Sequence, residues 1–348
     1  MNIKTSSGKL PVIVIFAPTA SGKTALTREL FSPVGSHFIL NAEVISADSQ
    51  QVYKYMDIGT AKAEPELTKE IPHHLIDILE PDKQMNVSDF VDMADEACGA
   101  IASRGNIPVL CGGTGFYIRN FLYGVAPTPM SDEKIRNELK DRIANEGNET
   151  LYNELKAVDP ESASKIHVND AYRICRALEV YYISGQTRTS YKIEKKLRNQ
   201  YDFLFIILEP ERELLYSRIN SRVDKMVEMG LIEEVKELMA RGYSKETPGM
   251  KAIGYSEWFK EDGSVIDFEN AEEVNAVLEE IKHHSRKYAK KQYTYIRDIP
   301  EGVRVEYSAS EEDICKVGDI IKGWPGVKDF ITFRQKPSPG LEFSSKTP

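Results

Sequence analysis

One stretch of the chain has residue types and spacing suited to a single chemical task. Ala17, Pro18, Thr19, Ala20, Ser21, Gly22, Lys23 and Thr24 follow one another in a pattern that grips a diphosphate. In such a loop the backbone N–H groups and the N-terminus of the following helix surround phosphate oxygens. Lys23 neutralises them, and the Thr24 hydroxyl ligates Mg²⁺. Ala17 stands where this Walker A pattern usually has its first glycine, so the backbone there must avoid the left-handed region. A phosphate loop states what is held and leaves open what is transferred. Kinases and NTPases use it on ATP or GTP, and an enzyme with a diphosphate leaving group has the same use for it. There is no Asn-Lys-x-Asp guanine signature and no hydrophobic run ending in a Walker B aspartate. A switch GTPase is therefore not expected.

The setting of the loop makes the pattern specific. Leu10 to Ala17 is an unbroken apolar, β-branched run, as a parallel strand buried on both faces requires. After the loop, Ala25, Leu26 and Leu30 recur at helical spacing, and Ser32-Pro33 stops them. Further strands are predicted at Glu43–Ala47, Leu75–Leu79 and Ile107–Cys111. The helix before the last of these carries Phe90, Ala94, Ala97 and Ile101 on one stripe, with Ser88 as its cap and Gly105 as its end. Alternation of this kind implies a parallel sheet with right-handed crossovers. The pattern changes at Pro127-Thr-Pro129. From Ser131, a good cap, to about Gly185 only helices are expected. Tyr201–Leu208 restores a strand, and helices are predicted near 211–228, 231–241 and 270–297.

The expected fold is α/β: a P-loop NTPase-like parallel sheet flanked by helices, interrupted by a helical insertion. Residues 1–124 form the first part of the core, 125–199 the insertion, 200–305 the second part with its C-terminal helices, and 306–348 a partly disordered tail. From about Gly323 that tail is rich in Pro, Gly, Ser and Lys.

Composition narrows the function further. The 348 residues are 41% apolar and 28% charged, with no uncharged apolar run of membrane-spanning length. The first ten residues lack the apolar core of a secretory signal, so a cytoplasmic protein without membrane contact is expected. A monomer is the separate expectation for its assembly. Cys98, Cys111, Cys175 and Cys315 are scattered singly and read as free thiols. His73 and His74 have no third ligand at a suitable spacing and read as structural. A net charge of -9 argues against indiscriminate nucleic-acid coating. Lys282–Arg297 is an exception, with six Lys or Arg and no acid. It reads equally as a solvated helix face or as a local phosphate-binding surface.

Several further segments then fall into place together. Ile45-Ser-Ala-Asp-Ser-Gln-Gln-Val-Tyr53, Met56-Asp-Ile-Gly-Thr-Ala-Lys62, Pro72-His-His-Leu-Ile-Asp77 and Gly112-Gly-Thr-Gly-Phe-Tyr117 are followed by Asn169-Asp170, Arg173-Ile-Cys-Arg-Ala-Leu-Glu179 and Arg222-Val-Asp-Lys-Met226. Gly230-Leu-Ile-Glu-Glu-Val235, Ala252-Ile-Gly-Tyr255 and Arg286-Lys-Tyr-Ala-Lys-Lys-Gln292 complete the series. In this order and spacing they resemble the tRNA dimethylallyltransferase family, also called tRNA isopentenyltransferases, over about residues 10 to 300.

The resemblance implies transfer of a dimethylallyl group from dimethylallyl diphosphate to N6 of adenine 37, in the anticodon stem-loop of tRNA. It implies Asp48 as the base that accepts the proton of a poorly nucleophilic exocyclic amine. Lys23, Mg²⁺ and Arg222 would meet the charge building on departing pyrophosphate. The adenine must leave its stack to react. Asp48, Ser49, Gln50, Gln51 and Thr114 match substrate-contacting positions, and Arg136, Tyr172, Arg173 and Arg176 match tRNA contacts in the insertion. Tyr172 stands where the family usually has Gln or Arg, and Ser256 where it often has a basic residue. ATP binding at the same loop stays open. Two rivals share the motifs: a small-molecule or nucleoside kinase, and a tRNA-binding protein whose loop is vestigial.

Overall fold

A strand with no polar face has to be covered on both sides, and Leu10–Phe16 (β1) is buried along all but its first residue. The structure is a computed structural model that describes residues 8–297, 299–328 and 330. In chain order β1 is followed by α1 (Lys23–Phe31), β2 (Ala42–Ser46), α2 (Pro65–Glu70), β3 (His73–His74), α3 (Val87–Ser103), β4 (Ile107–Gly112) and α4 (Gly115–Tyr123). The helices α5 (Glu133–Glu146), α6 (Asn148–Val158), α7 (Pro160–Ala163) and α8 (Ala171–Ser184) come next. The chain then continues through β5 (Tyr201–Glu209), α9 (Arg212–Glu228), α10 (Leu231–Ala240), α11 (Ala271–Ile296), β6 (Val303–Glu306) and α12 (Glu311–Gly323).

Among the described residues one sheet forms, in the order β3-β2-β4-β1-β5-β6, and each neighbouring pair is parallel. Its register positions the chemistry. Ile15 pairs with Cys111 and Phe16 with Gly112, while Ser46 pairs with Cys111 from the other side. The C-terminal ends of β1, β2 and β4 therefore lie side by side, where ligands bind in open α/β sheets. Three loops leave from this edge, beginning at Ala17, Ala47 and Gly113.

The chain divides into two compact units, one formed by the stretches up to Leu122 and from Arg198 onward, the other by Tyr123–Leu197. In the first, Ile13, Ile15, Val44, Val109 and Ile206 of the sheet pack with Leu26 and Leu30 of α1 and with Val317 and Ile321 of α12. Fully burying each such side chain contributes about 1.5–3 kcal/mol before entropy. A second cluster gathers Val52 and Met56 with Val223, Leu231, Val235, Tyr255 and Trp258. The other unit has its own core of Leu139, Leu151, Leu155, Ile174 and Leu178. Among the described residues no helix is long and apolar enough to cross a membrane.

Several expectations are corrected. The third strand is His73–His74 and not Leu75–Leu79, because Leu75 (φ +61°) and Asp77 (φ +56°) adopt left-handed backbone that no strand continues through. Asn86, not Ser88, caps α3 in a reciprocal box with Asp89, and Cys98 replaces Ala97 among its buried residues. Asp132, not Ser131, caps α5; the Ser131 hydroxyl donates to Glu179. The stretch from 306 contains the end of β6 and then α12, which packs on the core. The expected disorder of its last residues lies outside the described residues.

Candidate active site

The phosphate loop tolerates its unusual first residue because the strain falls elsewhere. Positive φ occurs at Ala20 (+59°) and Gly22 (+92°), and not at Ala17, whose methyl group is fully buried. Gly22 precedes α1 and makes no side-chain cap, so the first N–H groups of that helix face the loop unblocked by a side chain.

The Lys23 Nζ donates to the Pro18 carbonyl at 2.8 Å. Burial pushes this ammonium down to about 8, against the pull of Cys111 and Asp48, and Arg222 adds to the lowering. An ammonium has three donors, and this one is short of compensating acceptors, as a group awaiting an anion would be. Arg222 Nη1 donates to Thr19 Oγ1 at 3.0 Å, and burial lowers its pKa while Asp48 raises it. Two cations thus converge on the loop from α1 and α9, within the field of one carboxylate.

That carboxylate sits in the turn after β2. Asp48 Oδ1 accepts from the N–H of Gln50 at 2.9 Å and of Gln51 at 3.4 Å, which leaves Oδ2 without a partner among the described residues. The turn is fixed from both sides. Thr114 Oγ1 accepts from Ser49 N at 3.0 Å, and Thr114 N donates to Ala47 O at 3.0 Å. Gln51 accepts from Ser46 Oγ at 2.9 Å and donates to the carbonyls of Thr60 and Ala61. Gly112 has to be glycine, since a Cβ there would lie 2.2 Å from the Ala47 oxygen.

Two cavities meet at this turn. Lys23, Thr24, Ser46, Asp48, Gln51 and Cys111 line the first. The second, of about 290 Å³, is lined by Ser49, Gln50, Tyr53, Met85, Tyr117 and Lys251, and the buried Gln50 Oε1 is unpartnered. The phosphate loop, Asp48, Thr114 and Arg222 are therefore brought together as the sequence predicts, with Asp48 facing the loop's cavity.

Gln292 closes the Arg286–Gln292 segment of the resemblance, which assigns it no role at the site. Buried on α11, its amide accepts from Thr19 N at 3.0 Å and donates to Gly113 O at 2.8 Å, tying the phosphate loop to the Gly112–Gly115 loop. Tyr288, one turn earlier, lies close to Thr114 and Gln292, and burial raises its phenol to about 12. Both stand on the one uncharged stripe of the basic run, which is the signal that could have found them.

The oxygens at the site suit Mg²⁺. The first cavity offers the Thr24 hydroxyl and the Asp48 carboxylate, hard donors of the kind the ion prefers, and a bound diphosphate would add more. No group of three His, Cys, Asp or Glu able to hold a metal occurs among the described residues. His73 Nδ1 lies 2.7 Å from Ile71 O, and His74 Nε2 lies 2.7 Å from Glu43. The residues fit a cation held mainly by its substrate.

The remaining predicted residues belong to the second unit. Arg176 spends its donors on Glu179 at 2.6 Å, Pro129 O at 2.8 Å and Thr128, while Arg136 lies 3.7 Å from the same buried Glu179. Arg173 pairs with Asp170 at 3.4 Å and is about half exposed, and Tyr172 is 70% exposed. Arg188, which sequence reading passed over, is close enough to Arg173 and Arg176 for their charges to lower its pKa further, after burial.

Comparison with known proteins adds an independent line. Residues 51–299 match the family model described as IPP transferase. The tRNA dimethylallyltransferase of Bacillus velezensis is 42% identical over 322 residues, covering 90% of this chain and 98% of its own length. That of Geobacter sulfurreducens is 39% identical over 313 residues, covering 90% and 97%. The crystal structure of a tRNA isopentenylpyrophosphate transferase from Bacillus halodurans superposes with a TM-score of 0.63 at 34% identity, over 94% of this chain and all of that one. A eukaryotic dimethylallyltransferase acting on tRNA gives 0.73 at 27% identity, over 95% and 81%. A strand–loop–helix with Lys23, Arg222 and Asp48 gathered at one sheet edge and this breadth of similarity lead to one assignment: the chain belongs to the tRNA dimethylallyltransferase family of prenyltransferases, the IPP transferases.

Proposed function

We propose that the protein transfers a dimethylallyl group from dimethylallyl diphosphate to N6 of adenine 37 in tRNA, releasing pyrophosphate. The observation that carries this reading is the Asp48–Gln51 turn, which has the Lys23 and Thr24 cavity on one side and the Gln50, Tyr53 and Tyr117 cavity on the other. A leaving group on the first side and an acceptor base on the second would meet at Asp48.

In this mechanism the loop N–H groups, Lys23 and Arg222 hold the diphosphate and take up charge as the C–O bond breaks. Thr24 would hold Mg²⁺, which supplies further neutralisation of the diphosphate. The free Oδ2 of Asp48 accepts the N6 proton as the new C–N bond forms, while Oδ1 stays engaged by Gln50 and Gln51 and keeps the carboxylate aimed. Thr114 fixes the Ser49 side of the turn. In the insertion, the exposed Tyr172 and Arg173, together with Arg188, are free to meet RNA, and Arg136 and Arg176 act through Glu179. The same grip suits ATP phosphates, so ATP would compete with dimethylallyl diphosphate.

The test is transfer of label from dimethylallyl diphosphate to unmodified tRNA in the presence of Mg²⁺. Prenylated adenosine with pyrophosphate released supports the reading. A phosphorylated product with ATP consumed makes the protein a kinase, and tRNA binding without any transfer makes the loop vestigial.

A further inference from the structure

A patch of aromatic surface lies beside the site and takes no part in the mechanism above. Phe116 is 44% exposed and Tyr295 is 41% exposed, yet their rings stand 6.1 Å apart at 58°. Exposed rings in contact with each other make a contiguous apolar patch, the kind of surface that marks an interaction site. Their placement is enforced by backbone. Phe116 follows Gly115 at the start of α4, and a Cβ on Gly115 would fall 2.8 Å from Tyr295 Cβ, so only glycine lets α11 approach this closely. The pair is thereby fixed next to Thr114, which holds Ser49 and the Asp48 turn. Tyr288, seven residues before Tyr295 and so on the same side of α11, continues the stripe; it touches Thr114 and feels the charge of Asp48.

The charge around the patch selects its occupant. Lys291 and Lys287, four and eight residues before Tyr295 and so on its side of α11, are exposed and make no ion pair among the described residues. Lys282 and Arg286 are already engaged, by Asp224 and Glu279 and by Asn220. Exposed aromatic rings flanked by unpaired cations form the surface that unstacked nucleotides take, with bases on the rings and phosphates on the cations. An uncharged lipid tail or an apolar helix face would leave those cations unanswered. The geometry points to Phe116 and Tyr295 as a stacking platform for an unpaired base that neighbours the acceptor adenine in the RNA. This rests on the proposed tRNA prenylation and adds specificity-determining residues to it. Taking an adenine out of its loop exposes the adjacent base as well, and a ring to receive that base lowers the cost of extrusion.

The test uses the full-length protein with Phe116→Ala, Tyr295→Ala and Tyr295→Phe, and an RNA stem-loop carrying 2-aminopurine beside the acceptor adenine. In wild type, binding quenches 2-aminopurine further, without any dimethylallyl diphosphate present. Phe116→Ala and Tyr295→Ala lose that quenching and raise the KM for RNA about tenfold, while the KM for dimethylallyl diphosphate stays unchanged. Tyr295→Phe behaves as wild type, and an abasic residue at the probe position costs the wild type as much as the alanine variants lose. A rise in the KM for dimethylallyl diphosphate alone would overturn the proposal in favour of an isoprenoid-binding surface. So would equal penalties from the abasic RNA in wild type and variants. Absence of any transfer by wild type would sink the prenylation reading, while the quenching measurement would still decide the platform.

Discussion

Gln292 accepts the backbone N–H of Thr19 at 3.0 Å across 273 residues of sequence, and the same amide donates to Gly113. A buried amide that satisfies a donor on one loop and an acceptor on another couples the Ala17–Thr24 loop, the proposed diphosphate grip, to the loop that carries Thr114. Gln292→Leu orphans a backbone N–H and a carbonyl, each costing about 1–3 kcal/mol. We expect a lower melting temperature and a kcat reduced about 10- to 100-fold. Gln292→Glu keeps the acceptor for Thr19 and should retain more activity than Gln292→Leu. Equal losses in the two variants would mean that the amide only fills space.

Arg222 and Thr19 form a second link, at 3.0 Å, between α9 and the phosphate loop. Arg222→Lys keeps the charge but loses the planar fork that holds Thr19 and, in the proposed mechanism, would reach a phosphate as well. Removal of one preorganised donor to developing charge costs about 10²–10³ in kcat. We therefore expect Arg222→Lys to lower kcat far more than tRNA affinity, and steady-state kinetics with a tRNA binding assay would separate the two. Unchanged kcat would place the arginine outside the reaction.

In the proposed mechanism Asp48→Asn removes the base, and it preserves the turn because the amide oxygen can still accept from Gln50 and Gln51. Turnover should fall about 10²- to 10⁴-fold while tRNA binding persists. Single-turnover transfer with the complex preformed measures the chemical step directly. A variant that fails to bind but reacts normally once bound would contradict the assignment.

Glu43 gives a stability prediction that depends on pH. Burial alone would raise its pKa, but hydrogen bonds from Arg104, Asn106 and His74 hold it down at about 2, below the ordinary 4.5. Between these values the unfolded chain binds the proton and the folded chain does not. The contribution to stability is therefore complete above pH 4.5 and is lost as pH falls toward 2. Arg104→Met removes the largest downward influence, so acid unfolding followed by circular dichroism should shift to higher pH. An unmoved acid transition would show that Glu43 contributes nothing to it.

Much of this architecture is legible in the residues. Strands buried on both faces announce themselves as β-branched runs, and β1, β4 and β5 fall within about a residue of their predicted bounds. The phosphate loop and Asp48 are recognisable because backbone-driven chemistry tolerates few residue types. What escaped notice depends on partners remote in sequence. A two-residue strand such as β3 has no period to detect, and β6 pairs as Val303–Glu306, a run too short and too charged to stand out. Gln292 looks like any polar residue in a basic helix until folding brings Thr19 and Gly113 to its amide. The arginines of α8 were equivalent candidates on paper, and only burial distinguishes them.

That distinction can be measured. Arg173 is about half exposed with one loose ion pair, whereas Arg176 is largely covered and holds Glu179, a carboxylate only 1% exposed. Arg173→Ala should leave stability unchanged, weaken tRNA binding, and make the salt dependence shallower by about one counterion. Arg176→Ala strands a buried charge that Ser131, the Asp132 N–H and the more distant Arg136 satisfy only in part. Breaking such a pair costs about 3–5 kcal/mol at full burial, and less here because the arginine reaches solvent. The helical unit should therefore melt earlier, and tRNA affinity should fall through loss of structure, with the salt slope retained in whatever folded protein remains. Replacing Arg176 and Glu179 together, by Met and Leu, should recover the melting temperature. If the double replacement melts no higher than Arg176→Ala, Arg176 acts on something other than Glu179.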